Sequence, residues 1–358
     1  MFLSITSCLG TCHFLRLLAG FSMLLLTVAA HGENKGEFLL FPSIAAAQRS
    51  GIPAGDELKR RETEGAVDFL VTGNFNSIQY LGEYNYSSHE KELARLQAGW
   101  RSDGGTVLSI GKFHNLQGYW NTQFHHGAYL QTAISRPGMI EDDGPLPTHY
   151  MGMQLDGKLS HPGLGSLDYS LGIGKGALFD KTLDSPDILR PHRDGDLTIG
   201  LRLAYSLEEG DPSQVGIFLA SNKIPAKSDD LTEIKQTVWG VFGNWENENF
   251  RLIGEIYAFE NSLTGICSPC KGSFASAYVQ GEYRASPALT FYTRVEDTFG
   301  SAGDSYLALL PEFVKRRSMA GLRYDLTAKQ AIKLELSHVG RVETGFEQVQ
   351  IQWSAVFP

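Results

Sequence analysis

Three groups of residues in this chain have types and spacing that could do chemistry: a charged cluster, a cysteine pair and a histidine pair. Arg136, Glu141, Asp142 and Asp143 lie close together in one stretch. Opposite charges held at a narrow aqueous passage set a transverse field, which is how charged side chains select among passing solutes. Cys267 and Cys270 form a Cys-Ser-Pro-Cys motif. Such a pair is redox-active when it opens a helix in a thioredoxin-like unit, and half of a zinc site when a second pair exists. Neither context surrounds it, and the turn-like segment 260–272 favours a loop disulfide in an oxidising compartment. His125 and His126 are adjacent, and adjacent side chains on an extended strand point opposite ways, so a metal site would need further spaced ligands. None appears in the sequence, and neither a metal nor a cofactor is expected. Nucleophile-elbow, phosphate-loop and His-Glu-x-x-His motifs are also missing.

The elements that must position these residues start with an export signal. Leu17 to Ala30 is the one long apolar run, preceded by Arg16 and ending in Val28, Ala29 and Ala30. A cationic flank, a short apolar stretch and small terminal residues read as a secretory signal over 1–30. It carries Cys8 and Cys12 away with it and is too short to span a bilayer comfortably. Removing its single Arg moves the formal charge from -9 to -10, and that acidity argues against a nucleic-acid partner. Residues 31–66, with Pro42, Pro53 and the charged run Asp56 to Glu64, read as a solvated periplasmic lead-in.

Beyond the lead-in the chain is rich in Gly (39), Phe (20) and Tyr (14), a profile of twisted strands and aromatic girdles. In Phe346 to Phe357, Val349, Ile351, Trp353, Ala355 and Phe357 fall on one face and Gln348, Gln350, Gln352 and Ser354 on the other. Ile332, Leu334 and Leu336 alternate in the same way with Lys333, Glu335 and Ser337. One face of each strand fits lipid and the other fits water. Short and long connections also alternate: 327–330, 285–287 and 246–249 are tight, while 300–316, 261–272 and 222–235 are long. An all-β, antiparallel transmembrane barrel over 67–358 is the fold expected, with about fourteen strands and a range of twelve to sixteen. Its lumen face carries Arg202, Arg251, Glu255, Glu282, Arg284, Arg294, Glu296, Arg323, Lys333 and Glu335. These charges either line a water-filled pore or pair across it and close it.

The connection 115–150 stands out by length, and connections this long without strands of their own are usually functional. Loops default to the surface, so an outward loop with solvated charges is the first expectation. An inward loop that brings Arg136 and the three acids to a constriction is the alternative.

The terminal alternation closing on Phe357 resembles the end signature of Gram-negative outer-membrane porins, with the departure that Pro358 follows. Gly111-Lys112-Phe113, Gly118-Tyr119-Trp120-Asn121, Ser135-Arg136-Pro137 and Asp143-Gly144 resemble the Gly-aromatic runs of porin-like proteins of proteobacteria. The resemblance implies an outer-membrane channel for passive diffusion of small hydrophilic solutes, in contact with outer-membrane lipid and lipopolysaccharide, and by analogy a homotrimer. Competing readings are a non-conducting structural or adhesive barrel and an outer-membrane hydrolase using Ser135 with His125 or His149. No enzymatic activity is expected.

Overall fold

The computed structural model describes residues 36–53, 58–88, 91–124, 127–161, 163–188, 195–228, 230–265, 270–342 and 344–358. The expected signal over 1–30, His125, His126 and Cys267 lie outside these residues.

In chain order the strands are β1 (Gly36–Ser50), β2 (Arg61–Phe75), β3 (Ile78–Ser87), β4 (Lys91–Arg101), β5 (Val107–His114), β6 (His149–His161) and β7 (Gly165–Lys175). A small hairpin follows, β8 (Leu178–Asp180) and β9 (Thr182–Asp184). The series continues with β10 (Leu197–Ser206), β11 (Gln214–Pro225), β12 (Glu233–Glu246), β13 (Phe250–Thr264), β14 (Cys270–Ser286), β15 (Leu289–Phe299), β16 (Val314–Thr327), β17 (Gln330–Arg341) and β18 (Gly345–Ala355). All but β8 and β9 form one closed antiparallel barrel of sixteen strands, each paired with its chain neighbours and β1 with β18. Among the described residues no helix is long and apolar enough to cross a membrane.

Alternation drives this closure. In β18, Val349 and Ile351 are 47% and 52% exposed on the outer surface, while Gln348, Gln352 and Ser354 are buried inside. The same split holds for Phe291 and Val295 against Arg294 and Glu296 in β15, and for Leu334 and Leu336 against Lys333 and Glu335 in β17. An apolar band of this kind is stable only against an apolar surrounding, and a closed ladder leaves no edge with unpaired backbone groups.

The structure corrects the lead-in expected over 31–66. Residues 36–50 are β1 and residues 61–75 are β2, and these two strands are the difference between fourteen and sixteen. The physical reason is local. Inside the barrel β1 presents Ala45, too small and apolar to mark a water-facing side, and the first turns of β2 carry Arg61 and Thr63 outward beside inward Glu62 and Glu64. Charge on both faces near a strand end hides the period of two. At the other terminus Leu40 N–H donates to Phe357 O (2.7 Å) and Phe357 N–H to Leu40 O (2.9 Å), so the terminal Phe of the alternating pattern is tied to β1.

The connections fall on two ends. One end carries the start of β1, the end of β18 and the connections 76–77, 102–106, 162–164, 207–213, 247–249, 287–288 and 328–329; the other carries the longer loops, among them 115–148, 176–196 and 300–313. The rhythm fails at 88–90, 265–269 and 342–344, short connections on the long-loop end.

Candidate functional site

The connection 115–148 does not lie on the surface. It folds into the lumen, where Trp120, Asn121, Ala133, Met139, Ile140 and Leu146 are all buried. The first expectation for this loop is thereby corrected, and the reason is that its backbone polar groups find partners on the wall that a surface loop would find in water.

Anchoring begins at Gly118, whose φ of +77° places it where a Cβ would stand 2.1 Å from the Tyr257 hydroxyl oxygen and 2.2 Å from Glu255 Oε2. Only a residue without a side chain lets the loop come this close to β13. The next two amides, of Tyr119 and Trp120, each donate to the Glu255 carboxylate at 2.8 Å. Tyr257 Oη–H donates to it at 2.7 Å, and Tyr278 Oη–H donates to its other oxygen. Glu255 is 1% exposed. A bare carboxylate so buried would be costly, and four donors offset that cost.

Further along, Ile134 N–H (3.0 Å), Ser135 N–H (3.3 Å) and Ser135 Oγ–H (2.5 Å) donate to Glu335, and Gly138 N–H donates to Glu296 (2.7 Å). Arg294 donates to the carbonyls of Ser135 (3.0 Å) and Arg136 (2.7 Å), with Trp120 stacked 5.4 Å from its guanidinium. Arg323 reaches the carbonyls of Tyr129 and Gln131, and Lys333 those of Ala128 and Ala133. Apolar packing follows the same wall: Trp120, Met139, Ile140 and Leu146 join a core with Phe218, Val238, Phe242, Phe259 and Tyr278.

The predicted lumen residues thus face inward, but most do not line a passage. Glu255, Arg294, Glu296, Arg323, Lys333 and Glu335 hold the loop. Arg251 donates to Tyr119 Oη (2.9 Å), Glu282 accepts from Thr132 Oγ (2.9 Å), and Arg202 lies over the Phe242 ring. Arg284 stands half-exposed at the mouth on the turn end, bonded to the Glu248 carbonyl.

Open space remains on the opposite side. A cavity of about 480 Å³ near the long-loop end is lined by Lys91, Lys112, His149 and Asp187 together with Arg136, Glu141 and Asp142. A second, of about 520 Å³, lies between the loop and β1, β2, β3, β17 and β18, and is lined by the same three residues together with Asp143. Arg136, Glu141 and Asp142 thus line both chambers, and Asp143 lines the second. Arg136 Nη1 pairs with Asp142 at 3.4 Å, and Arg317 Nη2 with Glu141 at 2.7 Å. Burial raises the Glu141 carboxyl above its usual range despite the neighbouring Arg317, and Asp143 is raised by burial and by the adjacent Asp142 charge.

The closed barrel is similar to solved structures. The anion-selective porin from Comamonas acidovorans superposes with a TM-score of 0.62 at 11% identity, covering 91% of this chain and 100% of that one. The outer membrane channel DcaP of Acinetobacter baumannii gives 0.58 at 9% identity over 90% and 97% of the two chains. The trimer form of OmpT, an outer membrane protein of Vibrio cholerae, gives 0.56 at 10% identity over 90% and 99%. This chain has the porin fold. No protein-family model and no curated protein sequence matches it.

In this porin-like barrel several site residues escaped sequence reasoning. Arg317 directly follows the expected long connection 300–316, and Met319, two residues further along β16, packs into the core, so the polar face of this strand is broken by an apolar residue. Asp68, which accepts from Asn85 Nδ2 (2.6 Å) and Gly127 N–H (3.1 Å), sits on β2 at the very start of the expected barrel and was not among the expected lumen residues. Of the hydrolase candidates, Ser135 Oγ is engaged by Glu335 and Gln350, His149 Nδ1 lies 3.0 Å from Ser185 Oγ, and His125 lies outside the described residues. Cys270 is disulfide-bonded, and Cys267, its expected partner, lies outside the described residues.

Proposed function

We propose that the protein is a passive diffusion channel for small hydrophilic solutes in the outer membrane of a Gram-negative bacterium. The observation that carries the reading is the one-sided placement of the inner loop. Its apolar face packs against β11 to β16, its bonds extend to β17, and two polar chambers that share Arg136, Glu141 and Asp142 in their linings lie along the opposite wall. Charged side chains at a junction between aqueous chambers act on whatever crosses it. The outward band of exposed aliphatic and aromatic side chains suits a bilayer, with lipid and lipopolysaccharide as its surroundings. Residues 1–30 serve as the export signal, Cys267 and Cys270 bond in the oxidising compartment, and the working unit is a homotrimer, as in the OmpT trimer form.

Single-channel recording of the purified, folded protein in a planar bilayer tests the reading. Stable current steps whose size rises with salt are expected. A barrel that inserts and never conducts favours the non-conducting structural alternative, for which the many bonds between loop and wall are the supporting observation.

A further inference from the structure

The open half of the lumen contains a recess whose chemistry the channel reading does not use. Ala45 of β1 is paired on one side with Glu64 of β2 and on the other with Gln352 of β18. Strand neighbours stand roughly 4.8 Å apart, so a carboxylate and a carboxamide flank a methyl floor across roughly 10 Å. All three line the same chamber.

Charge around this row is unevenly spent. One row nearer the long-loop end, Ala47 separates Glu62 from Gln350, and Arg49 beyond it donates to Glu62 (2.9 Å) and Gln348 (2.5 Å). Glu62 is therefore neutralised. The chamber's other arginines are engaged as well: Arg136 with Asp142, Arg317 with Glu141 and Glu296, and Arg341 with Glu312. Lys333, beside Gln352 in β17, turns its ammonium to the loop carbonyls of Ala128 and Ala133. Among the described residues Glu64 has neither a hydrogen bond nor an ion pair. Gln352, 8% exposed, keeps its Oε1 without a hydrogen-bond partner. A buried amide oxygen left unpaired is costly, and a half-turn of the carboxamide exchanges its oxygen for its NH2 group.

The geometry points to a binding subsite over Ala45 for a cationic head group, an ammonium or guanidinium borne by a small solute. Glu64 supplies the opposite charge and Gln352 the acceptor oxygen for a second N–H. Only a cation bearing several donors satisfies both sides of the row, because a carboxylate solute would face Glu64 without a free cation to receive it. The anion-selective porin shares the fold at 11% identity, and its selectivity does not transfer to a row set by these three side chains. Transport of such a solute rests on the proposed channel function, whereas binding at the subsite does not.

Isothermal titration calorimetry on the folded protein in detergent separates the two, with 1,4-diaminobutane and glutarate as probes of similar size and opposite charge. Saturable binding of the diamine and none of glutarate is expected. Glu64→Gln should weaken the diamine at least tenfold, Glu64→Asp should retain it, and Ala45→Leu, which fills the recess, should abolish it. Gln352→Leu replaces Ala45→Leu if that variant loses the heat-modifiable migration of a folded barrel. Absence of diamine binding, equal binding of glutarate, or unchanged affinity in Glu64→Gln overturns the proposal. Diamine binding to a protein that never conducts supports the subsite and overturns the channel reading instead.

Discussion

Two halves of one lumen, built from the same alternating strands, do opposite things with their polar residues. Along β11 to β16 the wall is crowded with aromatics and charges, and its most deeply buried charges are turned to the inner loop: Glu255 to the Tyr119 and Trp120 amides, Arg294 to two carbonyls, Glu296 to the Gly138 amide. Along β1, β2 and β18 most of the residues facing the chamber are small, amidic or acidic, with Arg49 spent on Glu62 and Gln348, and a chamber of about 520 Å³ stays open. A charged side chain facing the inside of a barrel therefore does not by itself line a pore. What decides is whether a backbone segment arrives to bond it. The loop arrives on one side because Gly118 admits close approach and because Trp120, Met139, Ile140 and Leu146 give it an apolar face.

The contrast breaks most sharply at Glu255. Glu255→Ala removes the acceptor of four donors inside a dry wall, and a loss of roughly 3–5 kcal/mol is expected from orphaning a buried charged network. Glu64→Gln, on the open side, should change stability by no more than about 0.5 kcal/mol, as substitutions without packing partners do. Urea denaturation followed by gel migration compares the two; equal losses would mean that the halves do not differ.

Gly118→Ala is the next largest. A methyl there meets Glu255 and Tyr257 within 2.2 Å on a left-handed backbone, so the loop neck must shift, at a cost of roughly 1–3 kcal/mol. Noisier, larger current steps in bilayers are the accompanying expectation, because a loosened loop widens the junction.

Acidification sharpens the comparison in another way. Glu141 and Asp143 are raised above the usual carboxylate range, so as the pH falls they take up protons before an ordinary surface carboxylate does. Their negative charge is present above those raised values and lost below them. Cation preference measured as reversal potential across a salt gradient should therefore decline at a pH above that at which ordinary carboxylates titrate. Preference that holds down to the ordinary range would remove these two residues from the passage.

Arg284→Ala should do least. The side chain is half-exposed at the turn end, where ion pairs contribute little, and a change within about 0.5 kcal/mol with unaltered conductance is expected.

The barrel was legible where the period of two survives on both faces, as in Val349 to Ser354 and Ile332 to Ser337. It was illegible in β1 and β2, where Ala45 leaves the lumen side without polarity and Arg61 and Thr63 put polarity outside. The junction residues Arg136, Glu141, Asp142 and Asp143 were legible as a cluster because they are neighbours in sequence. Their inward position was not, since it depends on contacts between residues such as Trp120 and Glu255 that lie 135 positions apart. Local pattern carries no record of such pairs, and the general tendency of loops toward the surface pointed the other way. Glu255, Arg294 and Glu335 were legible as lumen-facing, whereas their role as loop anchors required the loop's path.

The most direct test of which half is open is cysteine accessibility under current recording. Ala45→Cys places a thiol in the open chamber, and Ser276→Cys places one at a buried position of β14, between Phe274 and Tyr278 of the core that the loop joins. With a cationic thiosulfonate reagent added to a conducting channel, Ala45→Cys should show a stepwise fall in current and Ser276→Cys none. Modification of Ser276→Cys with Ala45→Cys unaffected, or equal block of both, would contradict a passage that runs past β1, β2 and β18 and leaves the β14 wall closed.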